Sequence, residues 1–256
     1  MHLVFAEDAA DFYRKSAVRI AEVIRKKPSA KIGLSTGRTT KGVHAALAEE
    51  WKRDPFDCSR VKVFGIDEIT NMSRECPASC YYILLHEVIE PLGIAMEHFI
   101  MPDPGAGNLK EECRRFEAEV MSDGGPDFIF LGLGENGHLG FNQPGTPFGQ
   151  TAWISWMDDS LNERLRREYK IPAQVVMGGL TLGVKNLMQC PGLVMAANGK
   201  NKKAVAEQMV TGPVTEALPA SVLQLHPACE LILDPEAAGT LPERMNGRQG
   251  QQFMGV

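Results

Sequence analysis

The chain of 256 residues lacks any run of apolar residues close to the roughly 20 that a membrane-spanning helix needs. Its first residues, MHLVFAEDAADF, carry acidic side chains where a secretory signal would carry basic ones followed by a long apolar stretch. These two absences disfavour a membrane protein and a secreted protein. The sequence therefore predicts a cytoplasmic protein without a membrane partner.

The chain also lacks a surplus of positive charge, because 27 lysines and arginines stand against 32 aspartates and glutamates. The basic residues are spread along the chain, which argues against a nucleic-acid partner but leaves room for a local anion pocket. Six cysteines are scattered, and the pair Cys76 and Cys80 has no second cysteine or histidine pair at zinc-like spacing. We therefore expect reduced thiols and no metal site.

What the chain does have is a regular alternation of helical and strand-like patterns within a 44% hydrophobic composition. Such alternation predicts an α/β fold, doubly wound, with a mostly parallel sheet and helices on both faces, that is, a Rossmann-like fold. We expect one domain over 1–243 and a flexible polar tail over 244–256. Helices are predicted at 8–26, 40–51, 79–93, 108–121, 158–169 and 201–210, and strands at 31–35, 61–66, 98–101, 127–134, 192–198 and 229–234.

In sheets of this type a ligand binds beyond the carboxyl ends of the strands. Four loops are therefore expected to share one rim, at 35–40, 66–74, 134–148 and 198–202. The first, STGRTT, leads from a strand into a helix through hydroxyl groups, which suits a phosphate at a helix N-terminus. The alternative is a simple helix cap, and the spacing of a P-loop is absent.

The second loop begins with Asp67 and Glu68, two carboxylates that could remove a proton from a substrate carbon or could simply cap a turn. The third loop, LGLGENGHLGFNQPG, places His138 among glycines. That histidine is either a proton-transfer group or an ordinary hydrogen-bonded one. The glycines at 132, 134 and 137 match a dinucleotide fingerprint only weakly, since no acidic residue ends a strand some 20 residues later. The fourth loop offers Lys200, Lys202 and Lys203 to a phosphate or to solvent.

Together these loops resemble the glucosamine-6-phosphate deaminase (isomerase) family, and through it the wider group that includes 6-phosphogluconolactonases. The resemblance covers about residues 5–235 and rests on STGRTT, FGIDE, GLGENGHLGFNQP and the stretch GKNKKA to LPASVLQLHP. It implies isomerisation with deamination of a 2-amino-2-deoxyhexose 6-phosphate, of the glucosamine or galactosamine type, without a cofactor. Alternatives are a sugar-phosphate binding protein with little or no catalysis, and a lactone hydrolase.

The resemblance also assigns roles. Asp67 would move a proton between C2 and C1, and His138 would open the sugar ring. Lys202 would bind the phosphate, while Arg164, Arg166 and Arg167 stay unassigned. The remaining substrate-binding positions implied by the resemblance are Ser35, Thr36, Gly37, Arg38, Thr39 and Gly137.

Two positions depart from the family pattern, because Asn136 and Gln143 stand where relatives carry acids beside the ring-opening histidine. Amides keep hydrogen bonds but lack the charge that stabilises an imidazolium, so ring opening is the step we expect to be weakened. Glu135 or Glu68 is a candidate source of the missing charge. Asn136, Gln143 and Glu68 therefore join the candidate catalytic residues.

The segment TAWISWMDD at 151–159 lacks the basic residues of allosterically controlled hexameric relatives. No anionic effector site is expected there. A homo-oligomer stays open, but a hexamer is not assumed. Trp153 and Trp156 could belong to the core, to a lid or to a subunit contact, and of these the core is the expected place.

Overall fold

The computed structural model describes residues 1–157 and 159–243. The tail predicted at 244–256 lies outside the described residues. The strands are β1 (His2–Phe5), β2 (Lys31–Leu34), β3 (Lys62–Gly65), β4 (Asp67–Ile69), β5 (Phe99–Ile100), β6 (Phe128–Gly132), β7 (Trp153–Trp156), β8 (Gly178–Thr181), β9 (Leu193–Ala197) and β10 (Cys229–Leu233). The helices are α1 (Ala9–Lys26), α2 (Arg38–Arg53), α3 (Cys80–Leu84), α4 (Leu109–Met121), α5 (Asp159–Tyr169), α6 (Val184–Met188), α7 (Lys203–Thr211) and α8 (Pro235–Ala238).

Seven strands form a parallel sheet in the order β1-β10-β9-β6-β2-β3-β5. From β2 the chain adds β3 and β5 on one side, and then β6, β9 and β10 on the other. The direction of strand addition therefore switches between β2 and β6, where a crevice opens in sheets of this class. Because β9, β6, β2 and β3 are neighbours, the loops that follow them share one rim. The predicted fold class and this rim are confirmed.

The core lies on both faces of the parallel sheet. Phe130 of β6 packs on the face that α1 and α2 cover, where Phe12 and Leu47 are fully buried. The next residue of the strand, Leu131, packs on the opposite face with Phe116 of α4. Strands buried on both faces read as continuous apolar runs, which is why this strand was predictable from sequence.

A second sheet of three antiparallel strands, in the order β4-β8-β7, was not predicted. Its strands are only three or four residues long, and they contain the charged pair Asp67-Glu68 and the glycine pair Gly178-Gly179. Neither composition favours a strand, so tertiary contacts decide the conformation. As a result Asp67 and Glu68, predicted in a loop, lie on a strand whose first residue pairs with Thr181.

Several other predictions need correction. Trp156 on β7 is 64% exposed, so its expected place in the core is wrong, whereas Trp153 is partly buried. Strand β1 was also missed. The helix predicted at 79–93 is present as α3 followed by a π-helical turn, Leu85–Ile89. None of the helices in the described ranges combines the length and apolar character that crossing a bilayer requires.

Packing leaves no room for a side chain at Gly33, in the middle of β2. An added Cβ would lie 2.5 Å from Cζ of the buried Phe64 ring and 3.0 Å from Cγ1 of Ile129. We expect Gly33→Ala to destabilise the fold by about 1–3 kcal/mol, as overpacking of a core does. Each kcal/mol corresponds to about 2–4 °C in Tm for a chain of this size. Gly107→Ala is the control, because nothing lies within 4 Å of its added Cβ. Equal Tm values for the two variants in calorimetry would contradict this account of the sheet.

Candidate active site

The first loop of the rim presents the N-terminus of α2 without a side-chain cap. Gly37 occupies the cap position with φ +137°, and an added Cβ there would have nothing within 4 Å. The first amides of a 16-residue helix are thus left to another partner, at the end where the helix dipole is positive. This arrangement suits an anion such as phosphate.

Hydroxyl groups hold this loop to the neighbouring strands. Ser35 is buried and its Oγ accepts a hydrogen bond from the Gly132 amide at 3.0 Å. Thr39 donates to the Oδ1 of Asn198, which follows β9, at 2.7 Å. Thr36 donates to the thiol of Cys80 at 3.1 Å. The predicted phosphate loop is therefore fixed in place by bonds to three separate elements.

Lys202 reaches back to the same rim from the short 3-10 turn that precedes α7. Its Nζ donates to the carbonyl oxygen of Leu133, just beyond β6, at 2.6 Å. Burial lowers the pKa of Lys202 to about 8; the field of Glu135 acts in the opposite direction, and those of Arg38 and Arg164 lower it further. Arg38, Glu135 and Arg164 thus all act on the charge of Lys202, and these four residues are called the rim cluster.

Glu135 belongs to this rim cluster rather than to the histidine. Its Oε1 accepts hydrogen bonds from the guanidinium of Arg38 and, at 2.7 Å, from the side-chain amide of Asn201. The hypothesis that Glu135 supplies charge to His138 gains no support from these contacts. Arg164 of α5, which the sequence left unassigned, contributes to the electrostatics of Lys202.

Asp67 opens strand β4 and is only 5% exposed. Its Oδ1 accepts a hydrogen bond from the Cys80 thiol at 3.6 Å. Burial raises the pKa of Asp67 to about 7; the Cys80 hydrogen bond lowers it, and the neighbouring Glu68 carboxylate raises it further. A carboxylate with this pKa is a stronger base than an ordinary one and is still ionised in part at neutral pH.

Glu68, the neighbour of Asp67, is fully buried but accepts more hydrogen bonds than Asp67 does. Burial raises its pKa, and four hydrogen bonds to the carboxylate act in the opposite direction. Because these donors lie at the start of α3 and on β4 itself, the contacts favour a structural role for Glu68 over the catalytic one expected. The four donors are the amides of Ile69, Cys80 and Tyr81 and the hydroxyl of Ser79.

The glycines of the third loop allow close approach on both sides of His138. At Gly134 an added Cβ would lie 2.5 Å from Cγ of the imidazole, so the ring packs directly on the backbone. At Gly140, with φ +56°, an added Cβ would lie 2.9 Å from the Oδ2 of Asp67. Gly137 also has a positive φ, of +81°. The loop that carries His138 therefore lies against the carboxylate of Asp67.

The two amides at 136 and 143 orient the imidazole. The Oδ1 of Asn136 accepts from the backbone amide of His138 at 3.1 Å and contacts its Nδ1 at 2.7 Å. Because a backbone amide can only donate, the oxygen of Asn136 must face His138, and Nδ1 must carry the hydrogen. The Nδ2 of Asn136 in turn donates to the Oε1 of Gln143 at 3.0 Å. In the neutral ring, Nε2 is then the basic nitrogen.

Asn142 fixes the far end of the same loop, a role that the sequence did not reveal. It is fully buried, and its Nδ2 donates to the carbonyl oxygens of Leu139 and Leu182, both at 2.8 Å. Its Oδ1 accepts from the indole N–H of Trp153 at 2.9 Å. The asparagine of the FNQP motif thus ties the histidine loop to the antiparallel sheet. Within the described residues, no group of three or more histidine, cysteine or acidic side chains could hold a metal ion.

Comparison with known proteins identifies the family. The model of the glucosamine-6-phosphate isomerases/6-phosphogluconolactonase family matches residues 6–231. The chain belongs to this family. The resemblance predicted from the four loops is therefore confirmed.

Individual relatives cover nearly the whole chain. A glucosamine-6-phosphate deaminase of Thermoanaerobacter pseudethanolicus is 32% identical over 243 residues, covering 95% of this chain and 96% of the relative. One of Halalkalibacterium halodurans is 33% identical over 238 residues, covering 93% and 96%. Among solved structures, a monomeric glucosamine-6-phosphate deaminase has a TM-score of 0.89 at 27% identity, covering 93% and 99%. A 6-phosphogluconolactonase from Trypanosoma cruzi, with a TM-score of 0.75 at 17% identity over 94% and 96%, shares the fold.

Burial of Asp67 predicts an unusual dependence of stability on pH. Its pKa is higher in the folded than in the unfolded chain, so its contribution to stability is full below pH 4 and is lost as the pH rises through about 7. We expect Asp67→Asn to be more stable than the parent at pH 8, by about 2–4 kcal/mol, with the difference vanishing near pH 4.

Urea unfolding at the two pH values measures this effect. Asp57→Asn is the control, because hydrogen bonds from Ser59 lower the pKa of that exposed carboxylate and so give the opposite sign. Loss of stability in Asp67→Asn at pH 8 would contradict the description of Asp67 as a buried charge without sufficient partners.

Proposed function

We propose that this protein converts glucosamine 6-phosphate into the corresponding ketose 6-phosphate and ammonia. The observation that carries the proposal is the buried carboxylate of Asp67, whose pKa is raised to about 7 and which lies against the loop bearing His138. The names of the relatives point to the same reaction. The reaction draws on protein side chains and water.

The phosphate group is proposed to bind at the N-terminus of α2, with the loop Ser35–Thr39 around it. Lys202, Arg38 and Arg164 supply positive charge on the same side. The guanidinium of Arg38 donates a hydrogen bond to Glu135 on this side. Anchoring the anionic end of the sugar fixes the distance from the phosphate to C1 and C2, and so brings those carbons to the opposite side of the cleft.

Ring opening is assigned to His138. Its Nε2 takes the proton of the anomeric hydroxyl and returns it to the ring oxygen, which releases the aldehyde. Asn136 and Gln143 keep the ring oriented through neutral hydrogen bonds, so the imidazolium intermediate has less support than carboxylates would give. This step is therefore expected to be slower than in relatives that carry acids at these positions.

Isomerisation is assigned to Asp67. The carboxylate removes the proton from C2 of the open-chain sugar, and the C1 oxygen takes a proton that the 2-ammonium group gives up, so an enolamine forms. Asp67 then delivers its proton to C1. The product is an imine at C2. Water adds to this imine carbon and ammonia leaves, so a ketone remains. A base of this kind must be shielded from water and must have a pKa near the working pH, as burial provides for Asp67.

Lactone hydrolysis is the less favoured alternative. The 6-phosphogluconolactonase structures similar to this chain that are named above or share its fold are under 25% identical and so support the fold alone. Hydrolysis needs an activated water, whereas proton transfer between adjacent carbons needs a buried carboxylate such as Asp67. Galactosamine 6-phosphate is the substrate to compare with glucosamine 6-phosphate, since the two differ only in configuration at C4.

The activity is tested by release of ammonia from glucosamine 6-phosphate and, separately, from galactosamine 6-phosphate. We expect turnover of the glucosamine epimer, and a loss of at least about 10²–10⁴-fold in Asp67→Asn and in His138→Gln, because each removes a proton-transfer group. Lys200→Ala is the matched control for the rim, since that side chain is exposed. Absence of ammonia with both epimers, together with thermal stabilisation by hexose 6-phosphates, would instead indicate a binding protein.

The pH dependence of kcat/KM tests the same assignment. Asp67 must be ionised, so the rate is expected to rise with pH up to about 7. Lys202 must be charged to hold the phosphate, so the rate is expected to fall above about 8. In Lys202→Arg the alkaline limb should move to higher pH, because a guanidinium stays protonated throughout this range. An alkaline limb that is identical in Lys202→Arg and in the parent would remove Lys202 from the assignment.

A further inference from the structure

The thiol of Cys80 lies between the phosphate loop and the proposed base. Cys80 is the first residue of α3 and is almost fully buried. Its Sγ accepts a hydrogen bond from the Oγ1 of Thr36 at 3.1 Å, and its S–H donates to the Oδ1 of Asp67 at 3.6 Å. A buried free cysteine is usually a small apolar core residue, but this one has a polar partner on each side.

The direction of these bonds follows from the chemistry of the three groups. An ionised carboxylate can only accept, so the hydrogen between Cys80 and Asp67 belongs to sulfur. The Thr36 hydroxyl then supplies the hydrogen of the other bond. Burial, with the adjacent carboxylates of Glu68 and Asp67, raises the pKa of the Cys80 thiol well above its usual value. The thiol therefore stays protonated and is a permanent donor rather than a nucleophile.

The two oxygens of Asp67 are consequently not equivalent. Oδ1 is held by the thiol, whereas Oδ2 lies on the side of Gly140. A Cβ added at Gly140 would lie 2.9 Å from this Oδ2 and 3.1 Å from the Oγ1 of Thr181. The missing side chain at Gly140 therefore leaves room at Oδ2, on the loop that also carries His138.

We propose that Cys80 is a positioning residue for Asp67, which holds Oδ1 so that Oδ2 is the oxygen that takes the proton from C2. Thr36 extends this alignment to the phosphate loop, so the base and the phosphate site share one chain of hydrogen bonds. The inference rests on the proposed function, because it gives Asp67 the role of base.

A thiol suits this position better than a hydroxyl. A hydrogen bond to the ionised form lowers the pKa of a carboxylate, and S–H is a weaker donor than O–H. The Cys80 bond thus orients Asp67 while opposing only slightly the effect of burial. The titratable side chains on the surrounding elements include Glu68 on β4, Cys80, Tyr81 and Tyr82 on α3, and His138 on the loop of Gly140, while β8 contributes none. Tyr169 on α5 is also close enough to be affected by the field of Cys80.

The test compares Cys80→Ala and Cys80→Ser with the parent. Cys113→Ala is the matched control, because it removes a buried thiol from α4, which packs in the other core. The pKa of the Asp67 carboxyl is measured by carbon-13 NMR, assigned with Asp67→Asn. We expect it to rise by about half a unit in Cys80→Ala and to fall by a similar amount in Cys80→Ser.

Kinetics provide the second readout. In Cys80→Ala we expect kcat to fall about 5- to 20-fold with KM changed less than about twofold, because a misaligned base slows proton transfer without weakening phosphate binding. The acidic limb of the kcat/KM profile should follow the NMR values. Thr36→Val should move that limb in the parent but not in Cys80→Ala, since its effect passes through the thiol.

An Asp67 pKa and an acidic limb that are unchanged in both Cys80 variants would overturn the proposal, and so would equal kinetic losses in Cys80→Ala and Cys113→Ala. Should Cys80→Ala not fold, Cys80→Ser, which is nearly the same size, and Thr36→Val give the same readouts. A parent protein that releases no ammonia would refute the proposed function. The NMR titration would still decide whether the thiol holds the carboxylate.

Discussion

The burial of two consecutive carboxylates, Asp67 and Glu68, is the constraint on which the rest of this site depends. Two adjacent acids taken out of water are unfavourable unless donors surround them. Glu68 receives four such donors and so fixes the start of α3. Asp67 accepts a hydrogen bond from the Cys80 thiol, which is a weak donor. This bond does not offset the cost of burying the charge, so the pKa of Asp67 is raised. One carboxylate of the pair thus provides structure, and the other is left reactive.

The surrounding fold serves this arrangement. The parallel sheet brings the loops after β2, β6 and β9 to one rim, where the rim cluster and the N-terminus of α2 form a positive region. The antiparallel sheet supplies the strand that carries Asp67 and, through Asn142, holds the histidine loop beside it. Neither sheet alone completes the cleft, because the positive region belongs to the first and the base to the second.

Much of this was accessible from sequence because parallel strands are buried on both faces. Apolar runs such as 127–134 located β6, and the rule that loops follow the carboxyl ends of strands placed Ser35, His138 and Lys202 together. The strands β4 and β8 were not predicted because Asp67-Glu68 and Gly178-Gly179 have no intrinsic preference for a strand. Strand β7, WISW, has strand-favouring residues but is only four residues long. The hydrogen bond between Cys80 and Asp67 was not predicted for another reason, because the two residues lie 13 positions apart along the chain. No local sequence pattern indicates such a contact. The effect of Arg164 on Lys202, which is also distant along the chain, was missed for the same reason.

The amides at positions 136 and 143 have a consequence beyond the imidazole that they orient. Their loop lies against Asp67, whose pKa is already raised by burial and by Glu68. Acids at both positions would add anionic crowding around this base and push its ionisation further above neutral pH. Neutral side chains avoid this added negative charge. The imidazolium of His138 is therefore less stabilised, while Asp67 stays ionised to a greater extent near neutral pH.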